Sequence, residues 1–464
     1  MLPKLGLKKE SALMIISYAW PIIVETSLQL LIGWVDTIMI SRKLGEIAFN
    51  GVNTANSLLG LITLVLMVLV TGSNILIAQY IGAKNPKKAS EIVHQSLFFM
   101  ITTSIVITFL LTLFGPKLLN FMPVENQEII QQANIYMKII VVFLPIQGVM
   151  MLLSGVIKST GDTKRPMLAM VFVNLSNTAL NYIFLYKVGE NLHIQGPALA
   201  SGISRSIGLL FLIIIISQKD FLLSLKLKKI FKSNFHLLKE IAYVGTPAGF
   251  EQIFYRGSMF LLNLIIMSLG SSVQAAASYS SKIEAISFVP IFGLSMATSI
   301  LVGQTVGNND FIKAKEITNF SVKISIIFMV AASSVFILFG PYLLKIFTSN
   351  ENTIATGTTI LYMIALAQPA KAINMSLNGT FRGAGNTKWV MWVTLIGTAF
   401  ICVGLGFTLG IIFNLGIYGL WAAVILDEWT RALINWLYYK HGNWASYRLV
   451  NISDKSDLTK DIAS

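Results

Sequence analysis

Two carboxylates, Glu25 and Asp36, lie within the first long apolar stretch of the chain, residues 11–40. At 100° per residue on a helix, they share one stripe with Tyr18 and Gln29. A charge at bilayer depth costs at least about 2.5 kcal/mol, so an acid in such a segment is a candidate for ion or solute binding. The alternative is a buried acid held in place for packing alone.

The second half of the chain carries a related acid, Glu251, four residues after Pro247, just as Glu25 follows another proline. When Glu25 is aligned with Glu251, Asp36 corresponds to Leu262, so the second half has no acid at that position. We therefore expect the two halves to be functionally unequal.

Two later segments carry polar stripes at helical spacing. Their members stand at i, i+3 and i+7, and they are Asn174, Asn177 and Asn181, and Lys371, Asn374 and Asn378. Such spacing places three side chains on one face of a helix. Because Asn also joins membrane helices by hydrogen bonds, each stripe predicts either the lining of a wet cavity or a contact between helices.

Two further groups of charges predict structural ion pairs. Asp427 and Glu428 precede Arg431 by four and three residues, a spacing that favours a pair within one helix. Glu284 and Lys282 lie near the outer end of their segment and predict a pair at the rim.

The composition is that of a membrane protein. The 464 residues are 55% hydrophobic and only 12% charged, with a mean hydropathy of +0.71, whereas soluble domains carry about 25% charged residues. Twelve apolar runs have about the 20 residues needed to span a bilayer. They are 12–40, 52–80, 94–114, 133–155, 167–186, 196–217, 245–269, 275–303, 319–340, 359–379, 390–411 and 417–439.

The net charge of +14 comes mainly from Lys and Arg in short loops, so binding to nucleic acid is not needed to explain it. Loops on one side of the predicted membrane hold 23 of the 35 basic residues, and loops on the other side hold five. The excess of positive charge predicts that both termini are cytoplasmic. The basic segment 218–244 is predicted to be a cytoplasmic linker, either an amphipathic helix on anionic lipid or a solvated connector.

The two halves of the chain repeat one another. The motif at 75–82 recurs at 300–307, and the motif at 161–164 recurs at 385–388. Six spans per half is an even number, so the repeat is parallel and predicts two six-helix bundles that face each other across a cleft. The predicted all-α domains are 1–217 for the first bundle, 218–244 for the linker, 245–440 for the second bundle and 441–464 for a cytoplasmic tail.

Several classes of activity lack their motifs. Cys402 is the only cysteine and the histidines are scattered, so no disulfide framework or metal site is predicted. The sequence has neither a G-x-x-x-x-G-K-[ST] phosphate-binding motif nor an H-E-x-x-H motif. We therefore expect no enzyme and no cofactor beyond a coupling ion. A secondary transporter needs only a cleft, two bundles and ionisable groups.

A set of motifs is spread along the chain from Tyr18 to about His441. They are Trp20-Pro21 and Val35-Asp36-Thr37, Gln79-x-x-Gly82, Gly161-Asp162-Thr163-Lys164, Leu180-Asn181-Tyr182, Pro247 with Glu251, and Arg382-Gly383-Ala384-Gly385-Asn386-Thr387. Together they resemble the multidrug and toxic compound extrusion (MATE) family. The Asn181-Tyr182 pair is more similar to the NorM-type branch of that family than to the DinF-type branch.

The resemblance implies a monomer of the plasma or inner membrane that exports organic cations and amphipathic drugs by rocking of its bundles, in exchange for Na⁺ or H⁺. It implies ion-coupling roles for Asp36 and Glu251, with a sodium ion near either acid. Lys371 departs from the pattern, because NorM-type relatives often have an acid there, and it leaves the coupling ion open. The candidate cleft residues are Asp36, Glu251, Glu25, Gln29, Asn174, Asn177, Asn181, Lys371 and Asn374.

A flippase for lipid-linked oligosaccharides, from the same superfamily, is the alternative. Its cleft would handle large anionic phosphates and is expected to carry several cations. Here the intramembrane acids Glu25, Asp36 and Glu251 match or outnumber the clear mid-span cations, which favours cationic solutes.

Overall fold

The computed structural model describes residues 9–122, 124, 126–188, 192–218, 221–223, 227–230 and 234–450. Every regular element in those ranges is a helix, so the predicted all-α class is confirmed. Helices suit such apolar segments because each backbone N–H and C=O is satisfied within the segment, which hydrocarbon demands.

The described part of the N-terminal half forms seven α-helices. They are α1 (Lys9–Gly82), α2 (Pro86–Asn120), α3 (Gln127–Ile140), α4 (Leu144–Ser159), α5 (Lys164–Tyr182), α6 (Gln195–Ile216) and the short α7 (Leu227–Ile230). A 3₁₀ turn, Val141–Phe143, joins α3 to α4, and a π-helical turn, Ile183–Lys187, extends α5.

The described part of the C-terminal half forms six α-helices. They are α8 (Phe235–Ser268), α9 (Ser271–Gly307), α10 (Phe311–Lys345), α11 (Glu351–Gly383), α12 (Thr387–Leu395) and α13 (Gly416–His441). Two π-helical stretches, Ile396–Leu405 and Thr408–Ile412, continue α12.

A glycine interrupts α1 between two predicted spans. Gly45 has φ 83° and ψ −179°, a conformation that glycine adopts without a Cβ clash. The segments on either side correspond to the predicted runs 12–40 and 52–80. Gly270, at the equivalent position of the second half, has φ 108° and separates α8 from α9. The first two spans of each half therefore meet at a glycine.

The internal repeat extends to the helix caps. The Asn85 side chain accepts a hydrogen bond from the backbone N–H three residues on, at 3.1 Å, and starts α2. Asp310 does the same at 2.9 Å and starts α10. Each cap follows a residue with positive φ, Lys84 at 58° and Asn309 at 62°. These caps satisfy backbone donors that the first helical turn leaves free.

Eight helices among the described residues have the length and hydropathy needed to cross a membrane. Three others, α8, α11 and α13, are not among them, and each carries buried charges such as Glu251, Lys371 and Arg431. The prediction of twelve spans counts α1 as two and includes these three charged helices. That number stays a prediction.

Contacts divide the described residues into two compact units, one made of those up to residue 23 with those from 246 onward and the other of those between 24 and 245. We call them the C-terminal unit and the N-terminal unit. The start of α1 thus packs in the C-terminal unit, although it was assigned to the first bundle. The physical reason is burial, since Ile15 and Ile22 are 0% and 1% exposed among apolar residues of α9.

The predicted linker 218–244 overlaps the next helix, because α8 already begins at Phe235. Between the end of α6 and the start of α8, the only helix among the described residues is the four-residue α7. The prediction of an amphipathic linker helix rested on Lys226, Lys228, Lys229 and Lys232. Lys228 and Lys229 lie in α7, whereas Lys226 and Lys232 lie outside the described residues, as does the tail from residue 451 onward.

Candidate functional site

The N-terminal unit places Asp36 of α1 against two asparagines of α5. The Asn181 amide donates to Asp36 Oδ1 at 2.6 Å and to Asn177 Oδ1 at 3.2 Å. The Asn177 amide donates in turn to Ser201 Oγ of α6 at 3.4 Å. Asn181 and Asn177 are fully buried, whereas Asp36 is half-buried. Three of the predicted site residues therefore form one network across three helices.

One oxygen of this network lacks a partner. Asn181 Oδ1 is buried and accepts no hydrogen bond from the described residues. Nor does any described residue form a salt bridge with Asp36. Arg205 is near enough to interact with Asp36 electrostatically, while its guanidinium donates to Gln147 Oε1 at 2.8 Å. The Asp36 carboxylate thus lies beside an asparagine whose amide oxygen, Asn181 Oδ1, has no hydrogen-bond donor among the described residues.

This donor set suits a proton or a small monovalent cation. It offers one carboxylate and neutral amide oxygens, whereas Ca²⁺ takes six to eight oxygen ligands. Within the described ranges, no three His, Cys, Asp or Glu side chains are grouped as a metal ion would require. Asp36 would hold the positive charge, and Asn181 Oδ1 would complete its coordination or hydrogen bonding.

Two buried ion pairs occupy equivalent places in the two halves. Lys158 Nζ lies 3.0 Å and 3.3 Å from the two carboxylate oxygens of Glu25, and Ser154 Oγ donates to Glu25 Oε1 at 3.2 Å. In the C-terminal unit, the Arg382 guanidinium donates to both carboxylate oxygens of Glu251. The two acids correspond to each other in the internal repeat, and so do the two bases.

These pairs show where two of the predicted loop bases lie. Lys158 and Arg382 were two of the 23 basic residues assigned to cytoplasmic loops. They stand in the last turns of α4 and α11, and Lys158 is 6% exposed. Each base is drawn inward because a buried carboxylate needs a counter-charge. The imbalance between the two sets of loops persists without them.

The pairs bear on the roles predicted for Glu25 and Glu251. A carboxylate already neutralised by a base accepts another cation only by giving up that partner. Losing one member of a buried pair costs about 3–5 kcal/mol. An ion-coupling role for either acid stays a prediction, whereas Asp36 has no such pair to break.

In the C-terminal unit, Lys371 of α11 forms a buried ion pair with Glu284 of α9. Its ammonium group also lies 5.4 Å from the centre of the Phe288 ring. The prediction that Glu284 pairs with Lys282 at a rim is wrong. Glu284 is 7% exposed and contacts Lys371, while Lys282 is exposed. The buried ammonium attracts the acid into the interior.

Asn374, one turn after Lys371, extends this network to α13. Its amide donates to the backbone carbonyl and to Oε2 of Glu428, both at 2.9 Å. The Asn435 amide donates to Oδ1 of Asn374 at 3.1 Å and to Oδ1 of Asn378 at 3.4 Å. The polar stripe of α11 therefore joins helices.

The predicted ion pair within α13 is confirmed. Arg431 Nε and Nη2 donate to the two carboxylate oxygens of Asp427, each at 2.7 Å. The same Nη2 lies 2.8 Å from Glu428 Oε1. All three residues are more than nine-tenths buried. Two carboxyl groups therefore share one guanidinium.

Two predicted site residues stay outside these networks. Gln29 is exposed, although it shares the α1 stripe with Glu25 and Asp36. The Asn174 amide donates to the Met170 carbonyl of its own helix at 2.9 Å. Helical spacing predicted that each would share a face with the other site residues. Asn174 instead forms its hydrogen bond within its own helix, and Gln29 is exposed.

Sequence reasoning missed several partners: Lys158, Arg382, Ser201, Arg205, Gln147 and Asn435. The repeat held a signal for the first two. Lys158 and Arg382 stand three residues before the matching Gly161 and Gly385, so their equivalence was readable. The others have polar side chains in apolar runs, but nothing in one sequence shows which helix faces them.

An internally repeated bundle of apolar helices, with acids, bases and amides meeting inside it, is the architecture of a polytopic membrane transporter. The chain belongs to the MatE family, whose model matches residues 21–183 and again residues 247–408. The double match confirms the internal repeat. Membership places the chain among transporters rather than enzymes.

Curated relatives match nearly the whole chain. The uncharacterized transporter YisQ of Bacillus subtilis is 27% identical over 432 residues, which cover 92% of this chain and 94% of YisQ. A probable multidrug resistance protein NorM of Thermotoga maritima is 28% identical over 433 residues, which cover 93% of this chain and 92% of NorM. The predicted similarity to NorM-type proteins is confirmed.

Solved structures share the fold. A crystal structure of MATE in the bent conformation has a TM-score of 0.87 at 23% identity and covers 99% of this chain and 98% of its own. An outward-facing multidrug resistance MATE family transporter has a TM-score of 0.86 at 23% identity and covers 95% and 96%. At such identities the likeness shows the fold alone.

Proposed function

We propose that this protein is a multidrug efflux antiporter that exports cationic and amphipathic organic compounds across the cell membrane. Export would be driven by entry of Na⁺ or H⁺ and would proceed by alternating access. MatE membership and the NorM-type relatives support a drug-like cargo. The protein would act as a monomer with both termini in the cytoplasm.

The network of Asp36, Asn177 and Asn181 carries the proposal. Asp36 is half-buried, receives only an amide hydrogen bond at 2.6 Å, and stands beside the unpartnered Asn181 Oδ1. A buried acceptor without a partner costs about 1–3 kcal/mol. A cation bound between Asp36 and Asn181 would recover that free energy, so the site favours a bound positive charge.

Exchange would follow from competition for one carboxylate. When a proton or Na⁺ neutralises Asp36, the site loses its attraction for a cationic compound, and when the ion leaves, that attraction returns. The two ligands therefore favour opposite states of the same group, and a single site suffices for coupling. Linkage of this kind is reciprocal.

The test is transport in proteoliposomes that hold a fluorescent organic cation. Wild type is expected to move the cation under an imposed proton gradient or an imposed sodium gradient, and the effective gradient names the ion. Asp36→Asn keeps the size and hydrogen bonding of the side chain but removes its charge, so gradient-driven transport should fall at least tenfold. Transport by Asp36→Asn equal to wild type under both gradients would remove Asp36 from the mechanism.

Two neighbouring variants sharpen this test. Asn181→Ala removes the free oxygen and the donor to Asp36, and we expect it to weaken coupling. Asn174→Ala, on the same helix, removes an amide that bonds only to its own helix, and it should transport like wild type. Equal losses in both variants would indicate damage to α5 rather than to the site.

A lipid-phosphate flippase remains the second candidate. The buried cations Lys158, Lys371 and Arg431 would suit an anionic headgroup, but each is already paired with an acid. The structure therefore offers less support for a large anion than for a cation. Translocation of a fluorescent lipid phosphate in the same vesicles, without cation transport, would favour the flippase.

A further inference from the structure

Five buried charges of the C-terminal unit form one connected group, which we call the five-charge network. Its members are Glu284 of α9, Lys371 of α11, and Asp427, Glu428 and Arg431 of α13. Their exposed fractions lie between 1% and 8%. Lys371 pairs with Glu284, Arg431 pairs with both acids of α13, and Asn374 bridges from α11 to Glu428.

The charges of this network do not balance. Three carboxylates face two bases, which leaves one negative charge in a buried setting. An isolated buried charge is so costly that groups usually neutralise instead. The imbalance is sharpest on α13, because Asp427 and Glu428 share Arg431 while Glu284 has Lys371 as its own partner.

A second observation shows a shortage of hydrogen-bond donors next to the network. Gln368, one turn before Lys371 on α11, is 0% exposed, and its Oε1 accepts no hydrogen bond within the described part of the chain. Its amide donates to Ser287 Oγ at 3.3 Å, one turn after Glu284. The contact between α9 and α11 beside the Lys371–Glu284 pair is therefore short of a hydrogen-bond donor, while the missing positive charge lies on α13.

We propose that the five-charge network binds one proton, shared by Asp427 and Glu428 around the guanidinium of Arg431. This site is separate from Asp36, so the chain would have a titratable site in each unit. Two acids that share a base titrate as a pair, so the proton belongs to both. The inference does not rest on drug efflux, because proton binding can be measured without transport.

The groups that face the network are few in the described structure. Tyr255 of α8 and Cys402 of the π-helical stretch after α12 lie within electrostatic range of the network. Both are neutral when protonated and cannot cancel a negative charge. Lys371 interacts electrostatically with Glu284, Glu428 and Tyr255, and none of these adds a base to the three acids and two bases.

The network also has a way to exchange the proton. The Glu428 side chain is 11% exposed, the largest such fraction in the α13 triad. Glu428 is therefore the member of the Asp427–Glu428 pair through which a proton can exchange with its surroundings.

Infrared difference spectroscopy on the purified full-length protein in detergent tests this proposal, because a protonated carboxyl has a C=O band that shifts in D₂O. The measurement starts from Asp36→Asn, which removes the titratable acid of the N-terminal unit. We expect this protein to lose the band of about one carboxyl group between neutral and alkaline pH. Adding either Glu428→Gln or Asp427→Asn leaves two acids against two bases, so the band should be absent throughout.

Outcomes are unambiguous for variants that elute as monodisperse protein. Absence of the band in Asp36→Asn would overturn the proposal, and so would its persistence after either added substitution. Two alternative substitutions are used because one could impair folding. A matched control adds Glu91→Gln, an exposed acid of α2 in the N-terminal unit, and its band should equal that of Asp36→Asn alone.

Discussion

At the scale of single residues, each buried acid of this chain is stabilised in its own way. Glu25 and Glu251 pair with bases from α4 and α11, and Glu284 pairs with Lys371. Asp36 has an amide donor in place of a base. Since free energy is lost when a buried pair is broken, Glu25, Glu251 and Glu284 are suited to structure, whereas Asp36 is suited to exchange.

Glu251→Gln is therefore expected to destabilise the protein by about 3–5 kcal/mol, because Arg382 would keep its charge without a partner. Partial exposure of the Arg382 side chain, 25%, places the expected value near the lower end. The double variant Glu251→Leu with Arg382→Leu should recover much of the loss, since replacing both partners by apolar groups is often nearly neutral. Thermal unfolding in detergent measures all three proteins.

The same experiment separates structure from coupling. If Glu251→Gln unfolds at the wild-type temperature yet no longer transports, Glu251 belongs to ion coupling, as its likeness to family acids predicts. Glu25→Gln provides the matched case in the other half, where Lys158 is the base left unpaired.

These residues also show what a sequence can reveal about a site. The spacing of Asn177 and Asn181 predicted a shared face, and both join the network of Asp36. The partner of Glu25 is Lys158, on a helix far along the chain, and no periodicity reports which helices are neighbours. Glu284 shows the same limit, because its nearby base Lys282 was a better guess from sequence than Lys371.

At the scale of helices, small residues set how closely α9 and α11 approach. A Cβ on Gly379 would lie 2.4 Å from the Ser295 carbonyl oxygen, and one on Gly383 would lie 2.3 Å from that of Ser299. Small residues four apart allow this kind of contact between membrane helices. The close approach is what brings Lys371 of α11 within reach of Glu284 of α9.

Gly379→Ala is expected to lower the unfolding temperature by several degrees, because its Cβ would clash with backbone that cannot move aside. Gly257→Ala in α8 is the control, since nothing lies within 4 Å of its Cβ position. There alanine should be neutral or slightly stabilising, owing to its better helix propensity. Equal destabilisation by both would show that the α9–α11 contact is not the cause.

At the scale of the whole molecule, hydropathy and repetition predicted most of the helical fold. The repeat is visible in the glycine breaks at Gly45 and Gly270 and in the two family matches. The boundaries of the compact units were not predictable, since the burial of Ile15 and Ile22 depends on packing rather than on chain order. A simple hydropathy test also misses helices such as α13, because it counts their charged residues as exposed although these residues pair with one another.

The parallel repeat makes a further prediction about topology. Positions equivalent by the repeat should lie on the same side of the membrane, and the excess of basic residues puts the loop before α2 and the loop before α10 in the cytoplasm. Cys402 is buried and is the only cysteine, so single introduced cysteines can be labelled with little background. The exposed equivalent positions Lys87 and Ile312 serve for these loops, and Gln127 and Glu351 serve for the opposite side.

On intact cells, a membrane-impermeant maleimide should label Gln127→Cys and Glu351→Cys but not Lys87→Cys or Ile312→Cys. After permeabilisation all four should react, which controls for expression and access. A parallel repeat requires each equivalent pair to behave alike, whichever side it occupies. Opposite labelling within a pair would mean that the halves enter from opposite sides and that one half has an odd number of spans. Labelling of Lys87→Cys and Ile312→Cys from outside would preserve the parallel repeat but invert the molecule, and would show that the basic loops do not set its orientation.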